Sequence, residues 1–122
     1  MKPREIKPGI YSVGVVDWDR RLFDALIPLP DGTSYNAYLV KGSEKTALLD
    51  TVDPTMGKVL VCHLDELAVG TLDYVIHNHA EPDHSGFLSS ILAKYPQAKA
   101  VVTPKCKDML IDLLMVPAEK FT

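Results

Sequence analysis

The sequence predicts an α/β (α+β) fold in which a mixed β-sheet carries helices packed on one face. Three features point to it. Four β-type runs precede the first helical stretch, strand-length and helix-period apolar segments then alternate to the end, and no linker, repeat or low-complexity tract divides the chain. At 122 residues the chain is long enough for one hydrophobic core and too short for two, so residues 1–122 are expected to form a single domain.

From Gly9 to Trp18, Tyr11, Val13 and Val15 alternate with Ser12, Gly14 and Val16, which is the pattern of a strand. Arg21 to Leu29 reads as a second strand, closed by the turn residues of Pro28-Leu29-Pro30-Asp31-Gly32. Ser34 to Val40 and Thr46 to Asp50 read as an antiparallel hairpin across Lys41-Gly42-Ser43-Glu44-Lys45. Asp53-Pro54 then provides an N-cap followed by proline at the first helical position. In the helix that follows, Met56, Val59, Leu60, His63, Leu64 and Leu67 form one apolar stripe. Leu72 to Ile76 is a strand entered after Gly70-Thr71 and left at a polar, charged loop. Phe87, Leu88, Ile91, Leu92 and Tyr95 give the next helix, stopped by Pro96. Ala98 to Thr103 is a strand, and Pro104 opens a helix with Cys106, Met109, Leu110, Leu113 and Leu114 on one face. Pro117 to Thr122 leads into what reads as the start of another strand.

Composition excludes several functions. A formal charge of −3 gives no electrostatic footprint for nucleic acid. No apolar run approaches the roughly 20 residues that span a bilayer, and Met1 to Pro8 lacks a signal-type core, so a cytoplasmic protein without membrane contact is expected. Cys62 and Cys106 are too few and too far apart in sequence for a disulfide scaffold or a Cys-x-x-Cys site, and both read as small buried apolar side chains.

The informative segment is His77-Asn78-His79-Ala80-Glu81-Pro82-Asp83-His84-Ser85-Gly86, between the strand at Leu72 and the helix at Phe87. Ligands in α/β folds gather at the carboxyl ends of strands, where a loop leading into a helix lets side chains converge. In extended chain, residues two apart project to the same side, which places His79 and Glu81 together on one metal. Pro82 then turns Asp83 and His84 towards a second. Imidazole suits iron and zinc alike, whereas added carboxylate favours harder ions, so Glu81 tilts the choice of metal.

The chain resembles the N-terminal half of the metallo-β-lactamase-like domain of the flavodiiron proteins, from about Ile6 to its end. The resemblance rests on His79-x-Glu81-x-Asp83-His84, on Ser34-Tyr35-Asn36-Ala37-Tyr38-Leu39-Val40, and on Leu48-Leu49-Asp50-Thr51. Zinc hydrolases of the wider superfamily usually place His where this chain has Glu81. The resemblance implies half of an αββα sandwich, with His79 and Glu81 on one iron, Asp83 and His84 on the other, and Asp50 orienting a ligand histidine. It also implies four-electron reduction of dioxygen or two-electron reduction of nitric oxide, with electrons arriving through FMN. The family's bridging Asp, two further His ligands and flavodoxin-like FMN domain have no counterpart in these 122 residues. Weak iron binding and no turnover are therefore expected of this chain alone, together with assembly with a second copy or with a chain that covers the bare sheet face.

Two other readings compete: a zinc-dependent hydrolase of the same superfamily, and a non-catalytic truncated or split product that survives by pairing. Among the remaining residues, His77 is expected to be structural or to orient a ligand, and His63 to pack on its helix. Trp18 is expected to pack at a strand end, Asn36 and Tyr38 to be strand residues without chemistry, and Lys105, Lys107 and Lys120 to be solvated.

Overall fold

A computed structural model describes all 122 residues. Its centre is a six-stranded mixed sheet of order β1-β2-β7-β8-β9-β10, built from Arg4–Lys7 (β1), Ile10–Ser12 (β2), Tyr38–Lys41 (β7), Thr46–Leu49 (β8), Tyr74–Ile76 (β9) and Lys99–Val101 (β10). β1, β2, β7 and β8 pair antiparallel, whereas β8, β9 and β10 run parallel. Parallel pairing needs a crossover between neighbours, and helix α1 (Gly57–Glu66) supplies it from β8 to β9. The short helix α2 (Pro82–Ser85) and α3 (Leu88–Lys94) supply it from β9 to β10, and α4 (Pro104–Leu114) follows.

One sheet face carries the core. Leu39, Leu48, Val75 and Ala100 are cross-strand neighbours, each fully buried. They share one apolar cluster with Leu60 and Leu64 of α1, Leu88, Ile91 and Leu92 of α3, and Leu110 of α4. Because side chains alternate across a strand, Ala47, Leu49, Tyr74, Ile76 and Val101 point to the other face, which is only half-buried. This asymmetry is the expected layering of a mixed sheet with helices on one face.

The N-terminal third departs from the sequence reading. The run from Gly9 to Trp18 is two strands in two sheets: β2 joins the main sheet, and β3 (Val15–Asp17) pairs antiparallel with β6 (Thr33–Tyr35). Ser34 to Val40 likewise breaks into β6 and β7. Gly14 lies where the two bends meet; a Cβ there would come within 2.2 Å of the Tyr35 carbonyl oxygen, so the close backbone crossing needs glycine. Arg21 to Leu29 is not one strand but a tight hairpin of β4 (Leu22–Phe23) and β5 (Ile27–Pro28), turned through Asp24 and Ala25 at φ 50° and 55°. With β1 unforeseen as well, eight strands precede the first helix rather than four.

The helices follow the reading more closely. The Asp53 side chain accepts from Thr55 N, and Pro54 opens a 3-10 turn that runs into α1. In α4, however, only Leu110 is fully buried; Met109 and Leu113 are exposed, so the apolar face is wider than the contact it makes. Cys62 is exposed and Cys106 half-buried, which corrects their reading as core residues. Trp18 is also exposed, at 68% of its surface, rather than packed. At the far edge, Phe121 makes a parallel bridge to Ala100, consistent with the strand start read at the end of the chain. No helix is long and apolar enough to cross a membrane.

Candidate metal centre

The parallel strands β8 and β9 end side by side, and their carboxyl ends carry the polar residues. Asp50 follows β8 and adopts the left-handed conformation at φ 59°, which a short polar side chain tolerates better than most. Its amide still donates to the Ile76 carbonyl at 2.8 Å, so the backbone turns without leaving the ladder. The Asp50 carboxylate then meets the segment that leaves β9. Oδ1 accepts from the Asn78 amide at 2.9 Å and lies 3.3 Å from His77 Nδ1; Oδ2 accepts from Asn78 Nδ2 at 3.0 Å and lies 3.0 Å from His84 Nδ1. Burial by itself would raise the Asp50 pKa, but the hydrogen bonds from His77, Asn78 and His84 outweigh it and hold the carboxyl far below the usual range. Asp50 is therefore an anion at every working pH.

The sequence reading took residues 77–86 as a loop bent at Pro82. The structure instead gives one helical turn, α2, entered from Glu81 in extended conformation with Pro82 in the first turn. The turn brings the four predicted ligands together as two pairs. His79 Nε2 lies 3.3 Å from Glu81 Oε1, and His84 Nε2 lies 3.6 Å from Asp83 Oδ2. The two pairs are adjacent, since the His79 and His84 rings approach edge to face with centroids 5.3 Å apart. No three His, Cys, Asp or Glu side chains converge on one point closely enough to hold a single ion.

The donor types are those that bind metal, and the ring of His84 is oriented as a ligand's would be. His84 has its Nδ1 engaged by Asp50, which leaves Nε2 as the free ring nitrogen facing Asp83. Asp83 Oδ1 is buried without any hydrogen-bond partner, an arrangement that a cation nearby would relieve. His79 and Glu81 stand about half exposed at the rim, open to solvent. His77 is fully buried against Asp50, its Nε2 has no hydrogen-bond partner, and it takes no place among the pairs. His63, on α1, is buried too, with Nδ1 2.8 Å from the Val13 carbonyl. Cys106 lines a cleft of about 350 Å³ beside His79, together with Asn78, Thr103, Lys105 and Met109. Burial, and then the Asp50 charge, push its thiol pKa up.

Three residues that shape the site carried little signal in the sequence. Asn78 provides two of the hydrogen bonds to Asp50; Ser85 Oγ donates to the Ala80 carbonyl at 2.6 Å and closes the ligand segment on itself; Thr51 reaches the His84 carbonyl. Asn78 and Thr51 could have been found only as polar residues next to a strand end.

No family model matches the chain. It is 35% identical over 98% of its length to the type A flavoprotein fprA of Rhodobacter capsulatus. It is 42% identical over 81% of its length to the flavo-diiron protein FprA2 of Clostridium acetobutylicum. The anaerobic nitric oxide reductase flavorubredoxin of Vibrio vulnificus is 36% identical over 87% of the chain. The chain spans only 28%, 25% and 22% of these relatives' own lengths. Among solved structures, the rubredoxin oxygen:oxidoreductase of Desulfovibrio gigas superposes with a TM-score of 0.91 at 29% identity, over 98% of this chain and 30% of that one. A metallo-β-lactamase of Cronobacter sakazakii, at 16% identity and a TM-score of 0.72 over 92% of this chain and 38% of its own, shares the fold alone. The chain is thus similar to flavodiiron proteins in both sequence and fold along the stretch it shares with them.

Proposed function

We propose that residues 79–84 provide half of the protein ligands of a paired iron centre in an oxidoreductase that reduces dioxygen or nitric oxide. His79 and Glu81 hold one ion; Asp83 and His84 hold the other. The observation that carries this reading is the orientation of His84, with Nδ1 fixed on the Asp50 anion and Nε2 turned towards an Asp83 carboxylate whose second oxygen lacks any partner. A pair of iron ions, when bound, supplies redox equivalents and a clamp for both ends of a diatomic molecule. Asp50 keeps His84 in one tautomer and one ring orientation. The other pair, His79 and Glu81, is about half exposed and is the part of the site open to solvent.

Electrons reach such a centre through FMN, bound outside the stretch shared with the relatives. Two protein bonds per ion fall below the three or four that functional sites supply, so the 122 residues by themselves are expected to hold metal weakly and to show no turnover. Two tightly held irons per chain would overturn that expectation.

Anaerobic titration with ferrous iron and with zinc, of the wild type and of Glu81→His, tests the choice of metal. Replacing the carboxylate by imidazole is expected to shift relative affinity towards zinc. An unchanged iron-to-zinc ratio in the variant would remove Glu81 from the site.

A further inference from the structure

We propose that Thr51 is a positioning residue, one that fixes the metal-facing ring of His84 by gripping that residue's main chain. Thr51 is completely buried. Its amide donates to the His84 carbonyl at 2.7 Å, and its hydroxyl donates to the same oxygen at 2.6 Å. The hydroxyl in turn accepts from the Phe87 amide at 3.2 Å, so one side chain joins the end of α2 to the start of α3.

The need for such a grip follows from the size of α2. A helix of four residues cannot sustain itself, because nucleation fixes several dihedrals for each hydrogen bond gained. Its last carbonyls also lack partners within the helix, and a buried carbonyl left bare is costly. The His84 carbonyl is one of these, and Thr51 satisfies it twice over. Asp50, the preceding residue, meanwhile takes His84 Nδ1 at 3.0 Å. His84 is thus held at its carbonyl and at its ring by two consecutive residues, which leaves neither the main chain nor the ring free to rotate. The left-handed backbone of Asp50 is what lets both neighbours face the same histidine. Removing the Thr51 hydroxyl leaves the Thr51 amide as the one remaining Thr51 donor to the His84 carbonyl and breaks the link to Phe87, which should loosen the main chain of His84 and with it the direction of Nε2.

This inference takes His84 as a ligand, as proposed above, but it can be tested without metal. Thr51→Val removes the hydroxyl at nearly constant shape, and Thr51→Ser retains it. In the metal-free 122-residue protein at fixed pH, with 15N-labelled histidine, the Nδ1 signals of His84 and of the buried His63, which is bonded to the Val13 carbonyl, are recorded by NMR. The expected result is a shifted or exchange-broadened His84 signal in Thr51→Val, a wild-type signal in Thr51→Ser, and an unmoved His63 signal in both. An unchanged His84 signal in Thr51→Val would overturn the proposal. So would a His63 signal that is lost or moves with it, because Thr51 would then be holding the fold and not the ligand. Cobalt(II) titration is the second readout, with at least about a tenfold loss of affinity expected for Thr51→Val and less than about twofold for Thr51→Ser. A wild type that binds no cobalt(II) would count against the metal reading, while the NMR comparison still decides the role of Thr51.

Discussion

At the scale of single residues, Asp50 has the most to do. It is buried, charged and surrounded by donors from His77, Asn78 and His84, and each donor belongs to the segment that presents the ligands. Asp50→Asn keeps the shape and removes the charge, so it should weaken metal affinity by about 10- to 100-fold, read by cobalt(II) titration. The same carboxylate makes the metal-free protein acid-sensitive. Its folded pKa is depressed below the ordinary 3.8, so its contribution to stability is complete above that value and is lost progressively as pH falls below it. Urea unfolding at a series of pH values should therefore show a drop in stability below about pH 4 that is shallower in Asp50→Asn. Equal slopes would mean that the unfolded and folded states hold this proton alike. That Asp50 would meet a histidine followed from the resemblance carried by Leu48-Leu49-Asp50-Thr51 and not from composition or spacing, and its contact with His84 agrees with it. The Thr51 and Asn78 contacts were not legible in the sequence, since which polar neighbour turns inward depends on the left-handed backbone of Asp50.

At the scale of elements, the segment of proposed ligands is a short helix fastened from outside. Ser85 Oγ donates to the Ala80 carbonyl, and Ser85 is buried. Ser85→Ala should cost about 1–3 kcal/mol, because the Ala80 carbonyl is left without that partner. Urea denaturation measures it, and a loss well under that range would show water taking the place of the hydroxyl. Packing fastens the same segment. A Cβ on Gly57, at the start of α1, would meet the Phe87 ring at 2.1 Å, and one on Gly86 would meet the Pro54 ring at 2.5 Å. The helices were readable because their apolar residues recur every three or four positions over two turns or more and two of their starts are marked, by Asp53-Pro54 and by Pro104. The early strands were readable as β-type runs, but not where they break. Strands of two or three residues are too short to show alternation, and a strand that changes sheets at Gly14 keeps its alternation through the break. The single turn of α2 escaped for the same reason: four residues carry no period.

For the molecule as a whole, stability should be graded from the sheet centre outwards. Leu39, Leu48, Val75 and Ala100 form one fully buried row across four strands, whereas β4 and β5 hold two residues each, with Leu22, Leu26 and Ile27 exposed. Hydrogen exchange should therefore place the amides of Leu39, Leu48 and Val75 among the slowest, near the rate of global unfolding, and that of Phe23 among the fastest. Slow exchange throughout the hairpin would mean that its apolar side chains are covered in solution. The mixed sheet with helices on one face was legible from the order of segments, while the two small accessory sheets depend on chain reversals that composition does not mark. The clustering of the four proposed ligands between positions 79 and 84 also bears on how strongly a bound ion protects the folded state. A denatured chain keeps these donors within the same six positions, so it retains residual affinity of its own, and mass action credits the native state only with the difference. The rise in urea midpoint on adding cobalt(II) should thus fall short of the value calculated from the native dissociation constant. That shortfall measures how little of the grip on the ion was created by folding.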